Sequence, residues 1–263
     1  MKKIMMALFT VLLLVIVTSC SSEDAEGKSH KTTLTVSAAS SLREVLDDIG
    51  KLFQEAHPKI ELRFNFGASG TLKQQIEQGA PVDLFISAAA DKYEELEKQK
   101  LIHKGTSLVN NELVLITAKN AKWSGKYFRD LTREDIRKIA IGTPEIVPAG
   151  TYAKQVLSKE CIWDQLQEKL IFAKDVQQVL TYVETGNVDA GIVYKTDALL
   201  SDQVKIVAKA DPASHEPITY PIGVLNSSNH KKEALLFYEF IKSEEAEKLW
   251  DQFGFTMIKN DGK

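Results

Sequence analysis

Apolar positions along the chain alternate between two spacings. Leu34-Thr35-Val36-Ser37-Ala38 reads as a buried strand. Leu42, Val45, Leu46, Ile49, Leu52 and Phe53 then recur at helical spacing between Ser41 and Ala56. Ser41 and Glu44 form the S-x-x-E box that starts such a helix, and His57-Pro58 ends it. Ile60, Leu62, Phe64 and Phe66 alternate as one face of a strand. Gly67 to Gly70 is a tight loop into a helix over 71–78. A strand over 82–86 and a short helix over 91–99 follow.

Further strands are predicted over 113–117, 139–141, 190–194, 204–208 and 220–225. Helices are predicted over 132–138, 147–158, 175–184, 231–242 and 244–253. Alternating β and α argues for an α/β protein with parallel or mixed sheets flanked by helices, in two small domains. No Pro/Gly/Ser linker lies mid-chain. The expected domains are therefore joined by strands, which suits hinge motion.

The N-terminus follows neither spacing. Lys2 and Lys3 precede an apolar run from Ala7 to Val17, which ends at Val17-Thr18-Ser19-Cys20. A charged start, an apolar stretch and small residues before a cut describe a secretory signal over 1–19. The run falls short of the roughly 20 residues a membrane span needs. Val17 to Cys20 resembles a bacterial lipobox, which implies cleavage before Cys20 and lipidation of its sulfur. Residues 20–33 are polar and read as a flexible tether. The chain is thus expected outside the cell, held to the outer face of the cell membrane by its lipid. Loss of Lys2 and Lys3 moves the formal charge from -3 to -5. Cys161 is then the one thiol besides Cys20, expected to be buried as a small hydrophobe.

Composition narrows the chemistry. With 44% hydrophobic and 26% charged residues among 263, the chain is neither disordered nor a coiled coil. Acidic residues outnumber basic ones 36 to 33, so nothing favours nucleic acid. Five scattered histidines, with no H-E-x-x-H and no C-x-x-C, offer no metal site. Gly67-Ala68-Ser69-Gly70-Thr71 lacks the closing glycine of a nucleophile elbow and the Gly-Lys of a P-loop.

What remains is a set of small-residue turns between strands and helices: Ala38 to Ser41, Ala68 to Thr71, Pro148 to Gly150, and Lys174 to Val176. Helix starts present unpaired N–H groups and partial positive charge, which hold anions. In open α/β sheets ligands collect beyond the carboxyl ends of strands. Ser at such a helix start is usually an ordinary N-cap, and four such turns point, by composition and spacing alone, no further than a candidate anion site.

At these turns the sequence resembles the molybdate-binding proteins of bacterial ABC importers, the ModA family. The matching blocks are Ala38 to Leu42, Phe66 to Leu72, Gly79 to Ala88, Val147 to Lys154 and Gly191 to Tyr194. The resemblance implies a two-domain periplasmic-binding-protein type II fold with a ligand cleft between the domains. Domain one would comprise 34–111 plus 219–260 and domain two 112–218, with crossings near Asn111 and Thr219. It implies a non-enzymatic, monomeric solute-binding protein that delivers molybdate or tungstate to an ABC permease and its ATPase. Ser41 and Ser69 would each donate a hydroxyl and a backbone N–H. Ala149 and Val176 would donate backbone N–H groups, and Tyr194 its phenolic O–H. Molybdenum would be held as its oxyanion, with no bare metal ion and no cofactor. Ser37, Ser40 and Gly70 depart from the familiar pattern, which often has Phe, Ala and a third serine there. The alternatives are another tetrahedral oxyanion, sulfate or phosphate, and a serine hydrolase using Ser69 or Ser41.

Molybdate and tungstate are tetrahedral dianions that need donors on several sides. A ring of donors disfavours a protonated oxyanion, whose own O–H finds no acceptor. Backbone amides do not titrate, and ordinary Ser and Tyr stay neutral near pH 7. Affinity should therefore stay nearly flat between about pH 6 and 8. Titrations across that range check this, and a steep change within it would contradict a neutral-donor site.

Overall fold

The computed structural model describes residues 31–123 and 125–259. The expected secretory signal, Cys20 and most of the tether lie outside those residues. In chain order the strands are β1 (Thr32–Ala39), β2 (Ile60–Gly67), β3 (Leu84–Ile86), β4 (Ile102–Asn110), β5 (Leu113–Ala118), β6 (Ile139–Gly142), β7 (Leu170–Ala173), β8 (Ala190–Tyr194), β9 (Val204–Lys209), β10 (Thr219–Leu225) and β11 (Thr256–Met257). The helices are α1 (Arg43–Ala56), α2 (Ser69–Glu77), α3 (Ala90–Lys98), α4 (Pro148–Lys159), α5 (Val176–Glu184), α6 (Lys195–Leu199), α7 (Lys231–Phe240) and α8 (Glu244–Gln252).

The strands form two mixed sheets. One has the order β11-β4-β10-β3-β1-β2, the other β7-β6-β8-β5-β9. The chain passes from the first to the second at Asn111 and Glu112, and returns between β9 and β10. From Thr32 onward the chain forms one compact unit. In each sheet three neighbouring strands run parallel: β3, β1 and β2 in one, β7, β6 and β8 in the other. Parallel strands buried on both faces read as continuous apolar runs. Leu34, Val36 and Ala38 of β1, and Ile139, Ala140 and Ile141 of β6, are all fully buried.

Register decides where the turns emerge. The last pair of β1 and β2 is Ala39 opposite Gly67, so the Ser40-Ser41 and Ala68-Ser69 turns leave the sheet side by side. Gly142 pairs with Ala173 at the matching ends of β6 and β7.

Four local expectations need correction. Ser41 does not cap the helix it precedes. It lies in a 3-10 turn over Ser40–Leu42, without a side-chain capping bond, and its hydroxyl is engaged with Tyr220 instead. No helix forms over 132–138. A 3-10 turn over Phe128–Thr132 takes its place, and Lys169 Nζ donates to the carbonyls of Leu131, Thr132 and Arg133, which a helix would have needed. Cys161 is exposed rather than buried, in a tight turn with φ of 57° beyond α4. β1 starts at Thr32, two residues before the expected strand start at Leu34. The pattern also missed β4, β7, α6 and β11. β4 carries His103, Lys104 and Gly105, which mask its alternation.

Asp83 braces the first sheet. Its carboxylate is buried and accepts the Thr35 N–H at 2.8 Å and the Ser228 hydroxyl at 2.6 Å. A buried donor that loses its acceptor costs about 1–3 kcal/mol. Asp83→Ala should lower the unfolding free energy by about that much, which denaturant titration would read.

Candidate functional site

Every sequence-predicted ligand residue lines one small cavity. Its wall comes from the carboxyl ends of parallel strands in both sheets: Ser41 after β1, Ser69 after β2, Ala88 after β3, Ala149 after β6, Val176 after β7, and Tyr194 ending β8. The cavity measures about 10 Å³. That suits one compact occupant, not a sugar or peptide. No lining residue is charged.

Local geometry leaves main-chain donors free here. Pro148 opens α4 and has no N–H. The Gly150 and Thr151 amides both donate to the Val147 carbonyl, at 2.8 and 3.1 Å. Ala149 therefore carries the first amide of the helix without a partner among the described residues. At α5 the Asp175 carboxylate caps Gln178 at 2.8 Å and leaves the Val176 N–H unclaimed. Ser41 and Ser69 sit in first turns whose amides likewise have no intrahelical acceptor. All four residues are at most 5% exposed. Four buried N–H groups around one cavity, all unpaired among the described residues, are unusual, because such groups are nearly always paired.

The hydroxyls reinforce this. Ser69 Oγ accepts the Ala88 N–H at 2.9 Å, which leaves its own proton to be directed elsewhere. Ser41 Oγ lies 3.0 Å from the Tyr220 hydroxyl. Tyr194 Oη donates a long bond of 3.4 Å to the Ala88 carbonyl. Burial pushes the Tyr194 phenol well above its ordinary range, so it stays protonated and able to donate. Among the described residues neither serine hydroxyl is bonded to a basic side chain.

Gly70 matters for a different reason. Its N–H donates to the Ile146 carbonyl at 3.0 Å, tying the turn after β2 to the turn after β6. A Cβ on Gly70 would lie 2.7 Å from that oxygen. The glycine admits this close approach, which a serine here would obstruct.

A wider groove of about 350 Å³ runs past Asp91, Glu94, Tyr152 and Glu216. Its carboxylates make it unfit for an anion.

Comparison with known proteins now bears on this geometry. Residues 34–256 match the family described as bacterial extracellular solute-binding protein. The chain belongs to that family. This solute-binding protein is 47% identical over 256 residues to Bacillus subtilis YvgL, provisionally named an ABC transporter substrate-binding lipoprotein, covering 96% of this chain and 97% of that one. It is 36% identical over 231 residues to the molybdate-binding protein ModA of Haemophilus influenzae, covering 85% and 89%. It overlays the periplasmic molybdate-binding protein of Azotobacter vinelandii with a TM-score of 0.79 at 25% identity, covering 86% and 100%. The α/β architecture of two mixed sheets flanked by helices is the one these proteins share. The relatives are solute binders and not enzymes, which sets aside the serine hydrolase.

Sequence reasoning missed the residues behind the cavity wall of this solute-binding protein. Asn111 Nδ2 donates to Tyr220 Oη at 3.2 Å and to Thr196 Oγ1 at 2.9 Å. Asp197 is fully buried. One of its oxygens accepts Gln177 Nε2 at 2.7 Å, and the other has no partner among the described residues. Their one available signal was position: Asn111 at the strand crossing, and Thr196-Asp197 directly after Tyr194.

Desolvation pushes the Asp197 carboxyl well above its ordinary range, and the Asp175 charge adds to it; a main-chain bond at Tyr194 opposes them. A raised folded pKa stabilises at low pH, and that contribution is lost as pH climbs from the unfolded value toward the folded one. Asn mimics the neutral acid and cannot ionise. Asp197→Asn should match the wild type below about pH 4 and become progressively more stable than it above that. Thermal melts across pH check this; a constant difference would contradict it.

Proposed function

We propose that this protein captures molybdate or tungstate in the closed cavity and delivers it to the permease and ATPase of an ABC importer. The observation that carries this reading is the ring of four unpartnered N–H groups, with Ser41, Ser69 and Tyr194 hydroxyls, on a cavity without a charged side chain. Such a wall suits a small, fully ionised oxyanion. It offers few acceptors to a protonated one. Relatives named for molybdate binding support the choice of anion.

We read the halves 34–111 with 219–260 and 112–218 as two domains that close on the ligand. Donors from both halves then favour closure when the anion binds. Each hydrogen bond to a charged group contributes about 1.5–3 kcal/mol, so several together suffice for micromolar to nanomolar affinity after association costs. Cleavage before Cys20 and lipidation of its sulfur would hold the monomer at the outer face of the cell membrane.

Calorimetric titration with molybdate, tungstate, sulfate and phosphate tests the reading. One-to-one binding of the first two, with weak or silent sulfate and phosphate, is expected. Strong sulfate or phosphate binding without a molybdate signal would overturn the choice of anion. Ser41→Ala and Ser69→Ala should each weaken molybdate binding by about 1.5–3 kcal/mol. Unchanged titrations for both variants would remove them from the site.

A further inference from the structure

Behind Ser41 stands a short chain of polar groups that touches no cavity surface. Tyr220 is fully buried and Asn111 is partly buried. The amide of Asn111 has one possible orientation. Its Oδ1 accepts the Glu112 N–H at 2.8 Å, so Nδ2 must face Thr196 and Tyr220. An amide nitrogen only donates. Tyr220 Oη therefore accepts from Asn111, which favours turning its single proton toward Ser41 Oγ, 3.0 Å away. In that order Ser41 Oγ would accept that proton and keep its own for the cavity.

We propose that Asn111 and Tyr220 are positioning residues that fix Ser41 as a hydrogen-bond donor to the bound oxyanion. This rests on the oxyanion reading of the cavity. The direction of donation runs from the Glu112 N–H through Asn111 and Tyr220 to Ser41 and ends at the ligand. Ser69 reaches the same state by a shorter route, because the Ala88 N–H occupies its acceptor side. Both serine hydroxyls are thus committed to donate. A hydroxyl free to rotate would accept from a protonated oxyanion as readily as it donates to a bare one. The relay therefore serves discrimination as well as affinity. Asn111 also joins the site to the crossing between the two sheets, since it lies between β4 and β5 and holds Thr196 at the start of α6.

Tyr220→Phe isolates the relay. It keeps the ring contacts with Tyr194 and Phe255, at centroid distances of 5.7 and 5.6 Å, and removes only the hydroxyl. Molybdate affinity should fall roughly tenfold, and the preference for molybdate over inorganic phosphate should narrow. The effect should vanish in the Ser41→Ala background, because Tyr220 acts through Ser41. A double-mutant cycle by calorimetry reads that coupling. Equal losses in both backgrounds would show a merely structural role and overturn the proposal. Melting temperatures of the variants separate misfolding from lost positioning.

Neutron diffraction on ligand-free crystals decides the proton order whatever the anion proves to be. Deuterium on Tyr220 Oη pointing at Ser41 Oγ is the expected result. Deuterium on Ser41 pointing at Tyr220 would overturn the relay. If the wild type binds no molybdate, the functional reading falls while the neutron map still judges the relay.

Discussion

An N–H group shut away from water must find an acceptor, and this fold gathers four that have none among the described residues. Each arises where a strand ends and a helix or 3-10 turn begins. The parallel registers of β1 with β2 and of β6 with β7 bring those ends level. The Gly70–Ile146 bond then draws the two sets of turns together. The unmet donors are thus a product of topology rather than of any one side chain. They define what occupant the cavity can accept: something small, negative and rich in lone pairs. Buried amides without acceptors are costly, so an occupant that accepted from them would stabilise this arrangement of turns.

Charge is absent from the wall, yet charge governs the surroundings. Asp175 caps α5 from outside the ring, and Asp197 lies behind Tyr194 with its carboxyl driven toward the neutral acid by burial. An ionised carboxylate here would oppose an anion nearby. The acidic groove beside the cavity, with Asp91, Glu94 and Glu216, repels anions from the wrong place.

The fold was largely legible because its central strands are buried on both faces and its helices are amphipathic. Runs such as Ala190 to Tyr194 leave little choice of structure. Legibility failed where long-range partners outcompete local preference. Ser41 and Glu44 spell a capping box, but Tyr220, 179 residues away, takes the serine hydroxyl. Arg133 to Lys138 has helix-forming residues, but Lys169 occupies the preceding carbonyls. At the site, Ser41, Ser69, Ala149, Val176 and Tyr194 were found by resemblance, and the structure brings all five to one cavity. Asn111, Tyr220 and Asp197 were invisible because nothing in the local pattern distinguishes a polar residue behind a wall from one on the surface.

A wall made from main-chain amides has an unusual relation to genetic change. No substitution except proline deletes the N–H of Ala149 or Val176. Drift at these codons alters the bulk at the cavity wall but leaves its two donors in place. Ser41, Ser69 and Tyr194 lack that insulation, since one base change can remove a hydroxyl. On the oxyanion reading, selectivity would therefore evolve through the three side chains while all four amides keep a constant floor of affinity. A lineage would move between anions by retuning hydroxyls, without passing through a form that binds nothing.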